Sequence, residues 1–133
     1  MKSRDTLIRL KRFQVEEKRR RVFQLEAMIA EFVRMAGDLD REIALEEQRS
    51  GITDMSHFAY STYARAARVR RDNLKQSIED LRQQLTDAKT LHAEAIEEFG
   101  KTQSLDNREK GERLEPVRER VDPDMIGLGM ARL

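Results

Sequence analysis

The side chains that could carry catalysis or hold a metal in this sequence are two histidines, His57 and His92, and 25 aspartates and glutamates. Neither histidine has a cysteine or a second histidine at ligand spacing, and the patterns GxxxxGK[ST], GxGxxG and HExxH do not occur. The carboxylates fall in long charged segments, where such groups usually form a solvated face. We therefore expect no enzymatic activity, no metal and no cofactor, and a chemistry limited to binding.

Cations near the N-terminus surround two apolar residues, which suggests a surface that binds an anionic partner. Leu10 and Phe13 lie three apart on a helix face turned away from the apolar stripe defined below. The candidate contact residues here are Arg9, Leu10, Lys11, Arg12, Phe13, Lys18 and Arg19.

A second candidate patch lies in the middle of the chain, where apolar and aromatic residues fall outside the stripe. It consists of Leu45, Phe58, Tyr60 and Tyr63. An alternative is that Phe58 and the tyrosines only cover the turn between two helices.

The elements that must position these residues are two long helices. Apolar residues recur at alternating spacings of three and four, the pattern of a heptad seam that packs against a partner stripe. We call these positions the seam: Val22, Leu25, Ile29, Phe32, Ala36, Leu39 and Ile43 in the first segment, and Leu74, Ile78, Leu81, Leu85, Ala88, His92, Ala95 and Phe99 in the second. Its extension reaches Lys11 and Lys18 on one side and Thr102 and Asp106 on the other, so the end far from the turn should pair weakly. Either the lysines extend past a fraying end, or another molecule completes it.

The break between the two segments predicts a helical hairpin. Gly51 can end a helix in a left-handed conformation, and Thr53 or Ser56 can cap the next one. We predict an all-α fold, a long antiparallel two-helix coiled-coil hairpin over 1–115, with helix 1 at about 4–48, a turn at about 49–54 and helix 2 at about 55–108. A rise of about 1.5 Å per residue gives a rod of roughly 70 Å.

The tail is expected to leave this pattern. Gly100, Gly111, Pro116 and Pro123 end regular pairing, with some helix still possible as far as Glu115. We predict a flexible, disordered segment at 116–133.

Charge supports antiparallel pairing. Residues 1–25 hold nine Lys or Arg and three Asp or Glu, and 26–50 hold three and seven. The order reverses in the second segment, with four and two in 51–74 and three and six in 75–100. A hairpin therefore brings acidic residues 38–47 beside Arg65, Arg68, Arg70 and Arg71.

Composition excludes several classes of protein. With 38% charged residues, 5% aromatics and no tryptophan, the 133 residues cannot build a wide globular core. The absence of cysteine fits a reducing compartment, and no apolar run approaches the roughly 20 residues of a membrane span. We expect a cytoplasmic monomer without direct membrane insertion.

Other functions stay open on these residues. A generic coiled-coil scaffold or dimerising adaptor, built as an intermolecular coiled coil, would share every feature of the pattern. A nucleic-acid binder could use the basic cluster, but the net charge is only +1 and no aromatic residue suited to stacking interleaves it apart from Phe13. An enzyme would need a pocket assembled by oligomerisation.

The N-terminal stretch 7–21, which reads LIRLKRFQVEEKRRR, resembles the flagellar export protein FliJ family of type III secretion, in a form typical of alphaproteobacteria. The resemblance covers roughly residues 1–110. It implies an antiparallel hairpin similar to the stalk of rotary ATPases, peripheral to the membrane-embedded export apparatus.

The resemblance also implies partners. The terminal end of such a protein enters the hexameric flagellar export ATPase, and the hairpin body meets the cytoplasmic domain of the export gate; some relatives bind export chaperones. Carried onto this chain, the ATPase contact comprises Arg9, Leu10, Lys11, Arg12, Phe13, Lys18, Arg19 and Phe99. The export-gate contact comprises Leu45, Phe58, Tyr60 and Tyr63.

Overall fold

The computed structural model describes the backbone of residues 2–120 and the side chains of residues 3–111. It contains two helices, α1 (Lys2–Ser50) and α2 (Thr62–Arg120), joined by a loop at 51–61, and the described residues form no strand. The predicted all-α helical hairpin is therefore confirmed. Neither helix carries, within the described residues, an apolar stretch long enough to cross a membrane.

The chain divides into two compact units, residues 17–92 and residues 1–16 with 93–133. In the 17–92 unit the seam forms most of the core, and Tyr60, Ala64 and Ala67, which lie before its second segment, are also buried. One cluster contains Leu25, Leu81 and Ala88, with Val22, Ile29, Phe32 and Leu85 packed against it, and a second contains Leu39, Ile43 and Ala67, with Leu74 beside it. Each fully buried Leu or Ile side chain contributes roughly 1.5–3 kcal/mol, so these two clusters supply most of the unit's stability.

Ion pairs in the same unit confirm the antiparallel direction predicted from charge. Arg68 Nη2 lies 2.7 Å from Glu47 Oε2, and Arg71 Nη1 lies 3.0 Å from Asp40 Oδ1. Arg21 also donates a hydrogen bond of 3.3 Å to Gln84. Partners later in α1 thus meet residues earlier in α2, as a hairpin requires.

The loop begins as predicted but ends later. Gly51 adopts a φ of 74°, and its N–H donates to the Glu47 carbonyl at 2.9 Å, which closes α1 with a left-handed residue. The prediction that helix 2 begins near residue 55, capped by Thr53 or Ser56, is wrong. Ser61 is the cap, because its hydroxyl accepts a 3.1 Å hydrogen bond from the Ala64 N–H.

Local hydrogen bonds explain the late start of α2. Asp54 Oδ1 accepts bonds from the Ser56 N–H at 2.9 Å and the Ser56 hydroxyl at 2.7 Å, and His57 Nδ1 accepts one from the Ala59 N–H at 2.9 Å. Such side-chain bonds to nearby backbone offer an alternative to helix formation. The loop therefore occupies 51–61 instead of the predicted 49–54.

In the unit of residues 1–16 with 93–133, the predicted extension of the seam continues with polar members. Asp106 is buried at 6% exposure, and Lys110 Nζ lies 3.1 Å from its carboxylate. Arg4 forms an ion pair with Glu109. Lys11 and Thr102 are half-buried, so this unit pairs through mixed polar and apolar contacts.

Helix α2 continues to Arg120, beyond the predicted end near 108 and through Pro116, where we expected the disordered tail to begin. Gly100 and Gly111 do not break it, since each glycine in a helix costs only about 1 kcal/mol relative to alanine. The rest of the predicted tail, 121–133, lies outside the described residues.

Replacing Leu25, which is 1% exposed, should test the seam. Leu25→Ala is expected to lower the free energy of unfolding by about 2–5 kcal/mol, because it removes buried methyl groups and leaves a cavity. Leu91→Ala, at a leucine that is 47% exposed, is the matched control and should cost less than about 1 kcal/mol. Urea unfolding followed by circular dichroism measures both, and equal losses would contradict the placement of the seam.

Candidate interaction surfaces

The predicted basic patch falls partly in the unit of residues 1–16 with 93–133. There Leu10 and Phe13 are 49% and 53% exposed, and Arg9 is exposed beside them. Arg12 lies over the Phe99 ring, with its guanidinium carbon 5.5 Å from the ring centroid. A guanidinium over an aromatic face is held by the charge distribution of the ring, so Arg12 and half-buried Phe99 act as one contact.

Two further residues of the patch, Lys18 and Arg19, belong to the 17–92 unit. Lys18 is half-buried, and Arg19 lies over the Phe23 ring at 5.4 Å. Phe23 is 58% exposed and was missed by the sequence analysis. The sequence did contain a signal for this contact, since Phe23 lies outside the seam and four residues after Arg19. A groove of about 220 Å³ is lined by Lys18 together with Glu17, Arg21, Ala88 and Leu91.

Three of the four residues predicted near the turn are exposed. Leu45 is 61% exposed, Tyr63 54% and Phe58 97%. Leu45 and Tyr63 line one open groove of about 420 Å³ together with Glu42, Glu46 and Arg49.

Tyr60 does not belong to this exposed surface, which corrects the prediction. It is 5% exposed, and its hydroxyl donates to Glu47 Oε2 at 2.6 Å while accepting from Arg68 Nε at 2.8 Å. The guanidinium carbons of Arg65 and Arg68 lie 5.3 and 5.9 Å from its ring centroid. Tyr60 therefore covers the turn from within, as the alternative interpretation expected of it.

The network around Tyr60 changes the titration of its charged members. Hydrogen bonds from Arg68 first, and from Tyr60 second, hold the pKa of Glu47 below its ordinary value. The same bond to Glu47 raises the pKa of Arg68. Glu47 and Arg68 thus stay charged over a wider pH range. Among the described residues, every buried side-chain polar atom has a hydrogen-bond partner.

A further groove, of about 450 Å³, was not anticipated. It includes the seam residue Ile78 and is also lined by Val33, Gly37, Asp40 and Arg82. Small residues at 36 and 37 lower the helix surface there, and the spacing of the seam alone does not reveal this.

Potential metal ligands do not converge in the part of the chain that the structure describes, since no group of three His, Cys, Asp or Glu side chains could hold an ion there. His92 is half-buried at its seam position, and His57 uses Nδ1 within the loop. Comparison of the chain with protein-family models, with curated proteins and with solved structures gives no match.

Removing the Tyr60 hydroxyl should destabilise the turn. Tyr60→Phe is expected to lower the free energy of unfolding by about 1–2 kcal/mol, because it leaves a largely buried carboxylate and guanidinium without their shared partner. Tyr63→Phe changes the same group at a 54% exposed tyrosine and should cost less than about 0.5 kcal/mol. Urea unfolding measures both variants. Equal losses in the free energy of unfolding would contradict the role of the Tyr60 hydroxyl in stabilising the turn.

Acid should weaken the same contact. Because the pKa of Glu47 is depressed in the folded state, its charge stabilises the fold above the unfolded-state pKa, and this contribution is lost as pH falls through the folded-state pKa. The difference in melting temperature between the native protein and Glu47→Gln should thus be largest near neutral pH and shrink in acid. A difference that stays constant from pH 7 to about pH 3 would contradict this.

Proposed function

We propose that this protein is a non-enzymatic component of the flagellar type III export apparatus, a helical stalk that enters the export ATPase ring and links it to the export gate. The observation that carries the proposal is the basic stretch of α1, in which Leu10 and Phe13 are exposed among arginines and lysines. The resemblance of residues 7–21 to the FliJ family supports the choice of partner.

The ATPase contact would use the basic stretch and Phe99. Cations attract an acidic lining, while Leu10 and Phe13 add apolar area at the contact. Arg12 is already ordered over Phe99, so its guanidinium would lose little freedom on binding. Binding would therefore combine steering by charge with a small apolar anchor.

A stalk of this kind acts without chemistry of its own. A single helical protein inside a ring of like subunits contacts them unequally, and it can shift each subunit between states for which its affinity differs. It would in this way promote ring assembly and raise the rate of ATP hydrolysis by the partner.

The export-gate contact would use Leu45, Phe58 and Tyr63 at the turn. Their exposure leaves them free for a partner, and the groove that Leu45 and Tyr63 share offers a concave surface. Tyr60, which is buried in the same turn, is not part of this contact. Export chaperones are further candidate partners through the family resemblance alone.

Reversing charge in the basic stretch tests the ATPase contact. The variant Lys11→Glu, Arg12→Glu, Lys18→Glu and Arg19→Glu should lose stimulation of the cognate flagellar export ATPase, because it would repel an acidic lining, while its helicity stays nearly unchanged. The matched control reverses four cations of α2, Arg70, Lys75, Arg82 and Lys89, and should still stimulate. ATPase rates are measured at equimolar and substoichiometric ratios, and full stimulation by the first variant would refute the site.

The mass of the protein in solution separates a stalk from a dimerising adaptor. A hairpin that satisfies its own seam should be a monomer of 15.6 kDa by light scattering at concentrations where the ATPase is stimulated. A stable dimer that gives no stimulation would favour a coiled-coil scaffold instead.

A further inference from the structure

Among the described residues of the unit 1–16 with 93–133, none is a buried apolar residue. The buried apolar residues of the described chain, from Leu25 to Ala88, all lie in the 17–92 unit. In the other unit the large apolar residues of the interior, Ile8, Val15 and Phe99, are only half-buried. The hydrophobic contribution to stability grows with the apolar area removed from water, so the two helices pair more weakly here than in the 17–92 unit.

The described residue that is buried in this unit carries a charge. Asp106 is 6% exposed, and its partner Lys110, whose Nζ lies 3.1 Å from the carboxylate, is one turn further along the same helix. Burying a charge costs free energy even when the charge is paired. Because both partners belong to α2, separating α2 from α1 returns the carboxylate to water and keeps the ion pair. Separation therefore relieves a cost that the paired helices carry.

Two contacts that link α1 to α2 in this unit are accessible to solvent. Arg4 forms an ion pair with Glu109, and their side chains are 38% and 49% exposed. Exposed Arg12 lies over the half-buried ring of Phe99. An exposed ion pair contributes little to stability, because water and salt compete for both of its groups. Solvent can therefore replace much of what these contacts supply.

The helical segments of this unit have support that does not depend on their pairing. Each is continuous with a helix of the 17–92 unit, so it needs no nucleation of its own. Within α2, Lys101 Nζ lies 3.8 Å from a carboxylate oxygen of Glu97 and 3.9 Å from one of Glu98. Opposite charges three or four residues apart stabilise a helix in isolation. The α2 segment can therefore stay helical without its partner.

We infer that this unit opens: residues 2–16 of α1 and 93–120 of α2 separate as two helical arms, while the seam of the 17–92 unit stays paired. The inference goes beyond the proposed function and does not rest on it. Such local openings occur on microsecond to second timescales. Opening exposes the half-buried seam residues and parts Arg12 from Phe99, so it controls whether the contact that these two residues form is present.

Amide hydrogen exchange of the full-length protein, followed residue by residue by nuclear magnetic resonance, tests the opening. The amides of 5–16 and 95–107 should exchange at least about 100-fold faster than the amides of 25–39 and 74–88, because local opening requires less free energy than global unfolding. Equal protection in the two units would overturn the inference, since the hairpin would then unfold as a whole. The measurement needs no partner, so its outcome and that of the ATPase assay are independent.

Distances between spin labels distinguish separation of the arms from fraying of each helix within a closed unit. The sequence contains no cysteine, so two introduced cysteines are labelled specifically. Gln14→Cys with Ser104→Cys, both at exposed positions, should give a broad distribution that extends well beyond the closed distance. Gln24→Cys with Gln83→Cys, exposed in the 17–92 unit, is the control and should give one narrow distance. A single narrow distance from the first pair would overturn the separation, even if exchange is fast.

Apolar residues at the polar interior positions of α2 should close the unit. Thr102→Leu with Asp106→Leu adds apolar area between the helices and removes the buried charge, so exchange at 95–107 should slow by at least about tenfold and the distance distribution of the 14 and 104 labels should narrow. The matched control, Gln103→Leu with Asn107→Leu, places leucine one residue later at exposed positions and should do neither. Equal slowing by the two variants would show that helix propensity controls the exchange, and would overturn the inference.

Discussion

The packing of one apolar stripe against another is the interaction on which the rest of this structure depends. Among the side chains that the structure describes, neither helix has a second buried face, and the two core clusters of the 17–92 unit contain mainly leucine, isoleucine and alanine. Since helices of this polarity gain little stability in isolation, their length is maintained by the contacts along the seam. The narrow stripe leaves most of each helix surface in water, which explains why 38% charged residues are compatible with folding.

Charged residues beside the seam and in its extension also affect how the two helices pair. Arg71 is half-buried within the 17–92 unit and is satisfied by Asp40 and Asp72 at 3.0 Å. Asp106, in the other unit, is buried beside Lys110. Burying a charge costs free energy unless it is paired, so these pairs offset a cost more than they add stability. Their value lies in specifying direction and register, because a slipped register would leave the same charges unpaired.

The sequence predicted the features that follow from periodicity and from single special residues. The 3-4 spacing located the seam through Val22 and Leu81, and Gly51 located the end of α1. The sequence did not predict where α2 begins, because the hydrogen bonds of Asp54 and His57 depend on a loop conformation that residue propensities do not encode. Tyr60 was misplaced for a related reason: its burial requires Glu47 and Arg68 to converge from two helices, and only the folded hairpin brings them together.

Because Glu47 and Arg68 converge on Tyr60, the residues near the turn fall into two groups: those that fix the loop to the helices and those that are exposed to solvent. The charged groups of Glu47 and Arg68 are largely shielded from water, and the Tyr60 hydroxyl forms a hydrogen bond with each of them. Because water competes poorly for these bonds, they fix the loop. Phe58 lies just beyond this contact and makes almost none of its own with the fold. An exposed ring on a fixed loop has little conformational freedom left to lose on binding, and the free energy of its burial is then available to the complex. Preorganisation of this kind lets a small contact keep most of the free energy that the burial of its apolar surface supplies.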